Sequence, residues 1–146
     1  MTGKVLELFI TKDNADKTRL KVDKIFLDEF GIHNDKFYNK NLMRSILLTS
    51  LESYKLAQES SITIDTGSLG ENILIDVSPY HLKSGDRVKI GETILEITQN
   101  CTLCKGLSSV DSKLPKLLKN DRGIFTKVIN GKNEIKVGDR VEILNY

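Results

Sequence analysis

The sequence predicts a mostly antiparallel β-barrel with short helices, folded as a single domain spanning residues 1–146. Apolar residues alternate with polar ones in short runs, the pattern of strands with one buried face. Glycines at 67, 70, 85 and 91 break the second half into pieces of strand length. Helix-like periodicity is scarce, and 146 residues are enough for one continuous core. Many short strands with little helix fit a sheet closed on itself, which leaves few open edges.

After a flexible Met1-Thr2-Gly3 start, Val5, Leu6, Leu8 and Ile10 read as a first strand. Asp13-Asn14-Ala15-Asp16 is a turn, and Leu20, Val22, Ile25 and Leu27 form a second, less regular extended stretch. Glu29 to Asp35 reads as a loop, because Gly31, Asn34 and Asp35 favour turn backbone. Met43 to Leu48 is an apolar run containing Arg44. Thr49-Ser50-Leu51-Glu52 has capping-box spacing, with Thr49 as the cap of a helix reaching about Gln58. Short strands follow at Ile62 and Ile64, Ile73 and Ile75, Val88 and Ile90, and Ile94 to Ile97. Leu114 to Leu118 is a short helix starting near Pro115. Ile124 to Ile129, Glu134 to Val137 and Arg140 to Leu144 complete the strands, with Asn130-Gly131 as a turn. Gly85-Asp86-Arg87-Val88 is echoed by Gly138-Asp139-Arg140-Val141, a repeated turn-then-strand device.

A net charge of +2 gives no reason to expect nucleic acid or an anionic membrane as partner. No apolar run is long enough to span a bilayer and the N-terminus lacks a signal-peptide core, so the expected location is cytoplasmic. In a reducing compartment two cysteines are metal-binding, catalytic or inert rather than a structural disulfide.

Both cysteines lie in Gln99-Asn100-Cys101-Thr102-Leu103-Cys104-Lys105-Gly106. A thiol acts as nucleophile or soft ligand only as thiolate, and Lys105 is a neighbour of the kind that favours it at Cys104. The plainer reading of Cys104 is a small buried hydrophobe. Cys101 and Cys104 have the spacing of redox motifs and half zinc sites, but His33 and His81 lack the spacing of a ligand pair. No βαβ setting supports a thioredoxin-like role. His33 could serve a catalytic thiol only by proximity in space. Gly67-Ser68-Leu69-Gly70-Glu71-Asn72 is either an anion-binding nest of backbone amides or a plain turn. Arg44 and Arg122 offer planar forks for phosphate or are surface charges.

Together these residues resemble the MOSC domain family, named after the C-terminal domain of molybdenum-cofactor sulfurase. Phe30 to Asp35 resembles its Gly-Ile-x-Gly-Asp segment, Arg44 to Leu48 its Arg-x-Val-Ser-Leu strand, and Leu69 to Ile73 its Phe-Gly-Glu-Asn-Leu motif. Thr98 to Cys104 resembles its Thr-Gln-Pro-Arg-x-Pro-Cys stretch, and Arg122 to Val128 with Gly138 to Val141 its C-terminal end. The resemblance implies a MOSC-like β-barrel in which Cys104 carries sulfur or sits beside a molybdenum cofactor (molybdopterin) as a molybdenum ligand. It implies that Arg44, Gly70, Glu71, Asn72, Lys105 and Arg122 line the cofactor cleft. Some relatives reduce N-hydroxylated bases. Longer ones join the domain to a pyridoxal-phosphate-dependent desulfurase, so a cysteine desulfurase or a molybdoenzyme is the expected partner. The alternatives are a persulfide carrier without turnover, or a redox switch made of Cys101 and Cys104. The chain departs from the family pattern at Asn34, Phe37, Cys101 and Leu103, where relatives carry glycine, histidine, arginine and proline.

Overall fold

The computed structural model describes residues 1–12, 19–101, 111–119, 121–130 and 133–144. Eleven strands are present among them: β1 (Thr2–Thr11), β2 (Arg19–Val22), β3 (Lys24–Asp28), β4 (Gly31–Ile32), β5 (Ile46–Ser50), β6 (Ile73–Ile75), β7 (Arg87–Ile90), β8 (Thr93–Asn100), β9 (Ile124–Val128), β10 (Asn133–Lys136) and β11 (Arg140–Leu144). Seven of them close a barrel in the order β1-β11-β7-β8-β9-β5-β6 and back to β1. β2 hangs from β1 as an extra strand, and β10-β3-β4 form a separate small sheet. The mostly antiparallel barrel expected from the sequence is therefore present.

One pair is parallel, β5 with β6. Parallel neighbours need a long crossover. Helix α1 (Leu51–Glu59) and the segment after it supply that crossover. The pleat sorts residues by parity. Ile46, Leu48, Ile73 and Ile75 point into the barrel with Leu8, Val88, Leu95 and Ile124, while Leu74 joins Tyr54, Ala57 and Leu69 in a second cluster under α1. Each buried aliphatic side chain contributes about 1.5–3 kcal/mol.

Several local expectations change. Thr2 and Gly3 already belong to β1, paired to Glu142 and Val141. The stretch from Leu20 to Leu27 is two strands in different sheets, broken at Asp23. The loop at 29–35 contains β4, two residues paired to β3. Ser50, not Thr49, caps α1: its Oγ accepts from the Glu52 N–H at 3.2 Å, while the Thr49 hydroxyl donates to the Arg122 carbonyl at 3.0 Å. Ile62 and Ile64 form no strand; their apolar sides are absorbed by the cluster under α1 without a pairing partner. Arg44 ends a single 3-10 turn, Leu42–Arg44, that precedes β5. The turn expected at Asp13 to Asp16 lies outside the described residues, as does Gly131.

The echoed Gly-Asp motif is one device used twice. Asp86 accepts from the Lys83 N–H at 2.8 Å, and Asp139 from the Lys136 N–H at 2.9 Å. Gly85 and Gly138 take φ of +96° and +92°, backbone open to glycine at little cost. The strands that follow, β7 and β11, then pair with each other.

Asp28, at the end of β3, gathers three donors. Its Oδ1 accepts from the Phe30 N–H at 2.8 Å, and its Oδ2 from the Tyr38 hydroxyl at 2.6 Å and His33 Nε2 at 2.7 Å. Burial pushes its pKa up, but the bonds from Tyr38, His33 and the Phe30 amide outweigh that and hold it below the ordinary value. A carboxyl with a depressed pKa stabilises the fold fully above the unfolded value and loses that contribution as pH falls through the folded one. Asp28→Asn is therefore expected to lower Tm by several degrees at about pH 7, with the gap closing below about pH 4. Thermal unfolding across that range checks it; a pH-independent gap contradicts it.

Candidate functional site

A cleft of about 520 Å³ opens beside the barrel. Its walls come from the ends of β1 and β2, the segment from Lys36 to Arg44, the outward face of β5 at Leu47, and the turn before β6. Cys101 and Phe125, from the ends of β8 and β9, form the remaining wall with Arg122. Among the described residues, five cationic side chains line it, Arg19, Lys36, Lys40, Arg44 and Arg122, and no carboxylate does. Low-dielectric walls bearing one sign of charge concentrate the field and attract counter-ions.

Each arginine is held by a different device. The Arg44 guanidinium lies 4.8 Å from the centroid of the Phe125 ring. Arg122 donates from Nε and Nη2 to the Leu69 carbonyl at 3.3 and 3.2 Å. Arg19 donates from Nη1 to the Thr11 hydroxyl at 2.9 Å, and from Nη2 to the carbonyls of Gly67 (3.2 Å) and Glu71. Burial lowers the pKa of Arg19 while nearby Glu71 and Asp35 oppose the shift, and a guanidinium remains a cation under such a load. Side chains fixed this way lose little freedom when an anion arrives.

The turn at residues 67–72 works in the opposite sense to an amide nest. The Gly67 N–H donates to the Tyr54 hydroxyl at 2.9 Å and to Glu71 Oε2 at 3.2 Å. Those of Ser68, Gly70 and Asn72 donate to Asp65, Gly67 and Leu47 carbonyls. With its amides occupied, the turn instead offers carbonyls of Gly67, Leu69 and Glu71 that cradle two guanidinium groups. What it holds at the cleft wall is the pair of arginines, Arg19 and Arg122.

Asn72 is buried and fully engaged. Its Oδ1 accepts from the Leu47 N–H at 3.0 Å, and its Nδ2 donates to the Phe9 carbonyl at 3.2 Å and to Asp35 Oδ1 at 3.4 Å. Asp35 in turn accepts from the N–H groups of Thr11 at 2.8 Å and Phe37 at 3.1 Å. Through these two side chains the segment carrying Lys36 and Phe37 is docked onto the end of β1.

The structure brings Arg44, Gly70, Asn72, Cys101 and Arg122 to the cleft. Glu71 is not at its wall. Its side chain is fully buried behind the turn, accepting from the Tyr54 hydroxyl. Burial raises its pKa against the opposing bonds from Tyr54 and the backbone. Its Oε1 has no hydrogen-bond partner among the described residues. Cys104 and Lys105 lie outside the described residues, so a Cys101/Cys104 pairing does as well. His33 is bonded to Asp28 and His81 is exposed, and neither lines the cleft. Among the described residues no three His, Cys, Asp or Glu side chains gather into a metal-binding group, and no helix is long and apolar enough to cross a membrane.

Sequence reasoning missed Arg19, Lys36 and Lys40. Arg19 enters the cleft because β2 pairs with β1 so that Arg19 stands opposite Thr11. The two lysines arrive on a segment whose path depends on buried Asp35. The one local signal for them was the density of lysine around Phe37.

Comparison with known proteins agrees with this architecture. The YuaD protein from Bacillus subtilis superimposes with a TM-score of 0.86 at 22% identity, covering 100% of this chain and 97% of that one. YiiM from Geobacillus stearothermophilus matches at 0.73 and 14% identity, over 97% and 74% of the two chains. YiiM from Escherichia coli matches at 0.71 and 20%, over 100% and 71%. No curated protein matches the sequence. The family model described as MOSC domain matches residues 35–142, most of the sequence, and this chain belongs to the MOSC domain family.

Proposed function

We propose that the cleft binds a phosphate-bearing cofactor of the molybdopterin type. The observation that carries this is a lining of five cations and no carboxylate among the described residues, which suits a dianionic group. Gly70, with φ of +85°, lies at the wall, where a Cβ would stand at contact distance, 3.7 Å, from Arg122 Nη2. Arg19, Arg44 and Arg122, with Lys36 and Lys40, receive the phosphate, while Asn72 and Asp35 hold the walls that carry them. Phe37 and Phe125 give the opening an apolar side suited to a flat ring. The molybdenum cofactor, when bound, supplies the redox chemistry for reduction of N-hydroxylated compounds; the protein supplies position and electrostatics. Cys104, the cysteine that matches the family motif, is proposed as a molybdenum ligand, with Lys105 favouring its thiolate and the cytoplasm as the setting.

The test is to purify the protein from cells competent in cofactor synthesis and to measure molybdenum and pterin per chain. Wild type is expected to carry both in about equal amounts. Arg44→Ala is expected to lose most of both, by about tenfold or more in affinity. Cys104→Ala is expected to lose molybdenum in preference to pterin. Wild type that carries neither overturns the reading, and equal loading of wild type and Cys104→Ala removes the sulfur ligand.

A second reading is sulfur carriage, favoured by the place of Cys101 in the cleft lining beside Arg44 and Arg122. In it a thiolate attacks the persulfide of a partner cysteine desulfurase, takes the outer sulfur and releases the desulfurase thiolate. The same preparations, incubated with a desulfurase and cysteine, are then expected to gain one sulfur on Cys101 or Cys104 by mass spectrometry. An unchanged mass rejects carriage.

A further inference from the structure

One buried carboxyl is left unused by the cofactor site. Glu71 comes from the same turn as Gly70 and Asn72, but its side chain is fully buried behind it. Its Oε2 accepts from the Tyr54 hydroxyl and, at 3.2 Å, from the Gly67 N–H. The carboxyl thereby ties Gly67 to Glu71 across the turn, and the carbonyls of those same two residues hold the Arg19 guanidinium. A change of charge at Glu71 is therefore felt by a cation of the cleft wall, and the two already act on each other electrostatically.

The neighbours of Glu71 decide which form of the carboxyl is stable. Tyr54 reaches it from α1, Tyr80 from the segment after β6, and Arg19 from β2. Asp35, from the segment after β4, acts on the same guanidinium, and Arg122 grips the turn at the Leu69 carbonyl. Burial works against the carboxylate, and Arg19 works for it. The two carboxyls near Arg19 differ in what is left open. Both oxygens of Asp35 accept from N–H donors. Oε1 of Glu71 has no partner among the described residues, so a proton can settle there without displacing a donor.

An anion arriving on Arg19 changes this balance. It takes up the positive charge that favoured the carboxylate, and it brings negative charge of its own to the other side of the turn. We propose that the cleft binds a dianion together with a proton, taken from solvent onto Glu71 Oε1, which makes Glu71 a pH-sensitive positioning residue of the anion site. The proposal rests on the anion-binding reading of the cleft and adds how that site is regulated. Linkage makes the effect reciprocal: the anion raises the proton affinity of Glu71, and the proton raises the affinity for the anion by the same factor.

Calorimetric titration with sulfate, a dianion throughout, tests it between about pH 8 and about pH 5 in buffers of different ionisation enthalpy. Wild type is expected to take up a proton on binding sulfate within that range. It is expected to bind about tenfold more tightly at the acid end, an ordinary strength for coupling between two sites. Glu71→Gln keeps an acceptor for Tyr54 and Gly67 but carries no charge. It is expected to bind sulfate at the alkaline end as tightly as wild type does at the acid end, without proton uptake. Damage to the turn would weaken binding, so a gain reports the charge. Tyr54→Phe removes a bond that favours the carboxylate, and is expected to move the rise in affinity to higher pH. Sulfate bound without proton uptake, or uptake that survives Glu71→Gln, overturns the coupling and leaves the anion cleft standing. No sulfate binding by wild type at any pH overturns both.

Discussion

Replacing Asn72 with alanine is expected to destabilise the protein by about 3 kcal/mol. The side chain satisfies an amide of β5, a carbonyl of β1 and the carboxylate of Asp35 at once, and it is buried. Truncation leaves the Leu47 N–H and the Phe9 carbonyl without those partners, and an orphaned buried polar group costs more than an average hydrogen bond gains. The same change is expected to weaken phosphate binding, because the segment bearing Lys36 and Phe37 loses one of its anchors. Asn72→Asp serves as the companion variant: it keeps the acceptor for Leu47 but faces a second carboxylate at Asp35, and is expected to be worse at neutral pH than in mild acid. Urea unfolding measures both. A loss of less than about 1 kcal/mol for Asn72→Ala means the bonds are made by something else.

Gly67→Ala is the second large effect, expected to cost about 2–4 kcal/mol. Gly67 has φ of +91°, and a Cβ there would stand 2.9 Å from the Phe9 ring. The ring cannot yield easily, since Phe9 is 5% exposed and has the Arg19 guanidinium 5.5 Å from its centroid. Gly85→Ala separates the two contributions. Gly85 has nearly the same φ, +96°, with nothing within 4 Å of its would-be Cβ. It should show only the backbone penalty of about 1–2 kcal/mol. Equal losses of Tm for the two variants would show that the contact with Phe9 contributes nothing.

What could be read from the sequence was whatever local chemistry decides. The Gly-Asp-Arg-Val turns were legible because glycine, aspartate and the strand that follows act within five residues. The alternation at Ile73 and Ile75, and at Val88 and Ile90, survived because those side chains meet one barrel interior. The same alternation at Ile62 and Ile64 misled, since an apolar cluster under a helix satisfies it as well as a sheet does. Arg44 and Arg122 stood out as arginines beside apolar runs, and both reached the cleft. Arg19 did not stand out, because only the register of β2 on β1 puts it there. Glu71 shared a motif with Gly70 and Asn72, yet its side chain is buried behind the wall they form, bonded to the Tyr54 hydroxyl and the Gly67 amide. Spacing shows which residues travel together, and burial decides which of them meet a ligand.

Thr2 through Lys4 of the first strand pair with Arg140 through Glu142 of the last. That seam joins segments some 138 positions apart, among the most distant contacts in the barrel. Val5 to Thr11 can pair earlier with β6 and β2, but Thr2 to Lys4 have no strand beside them among the described residues until β11 docks. A chain caught before that closure offers this short edge for strand exchange with a neighbour, a hazard that a helical protein of equal size does not share.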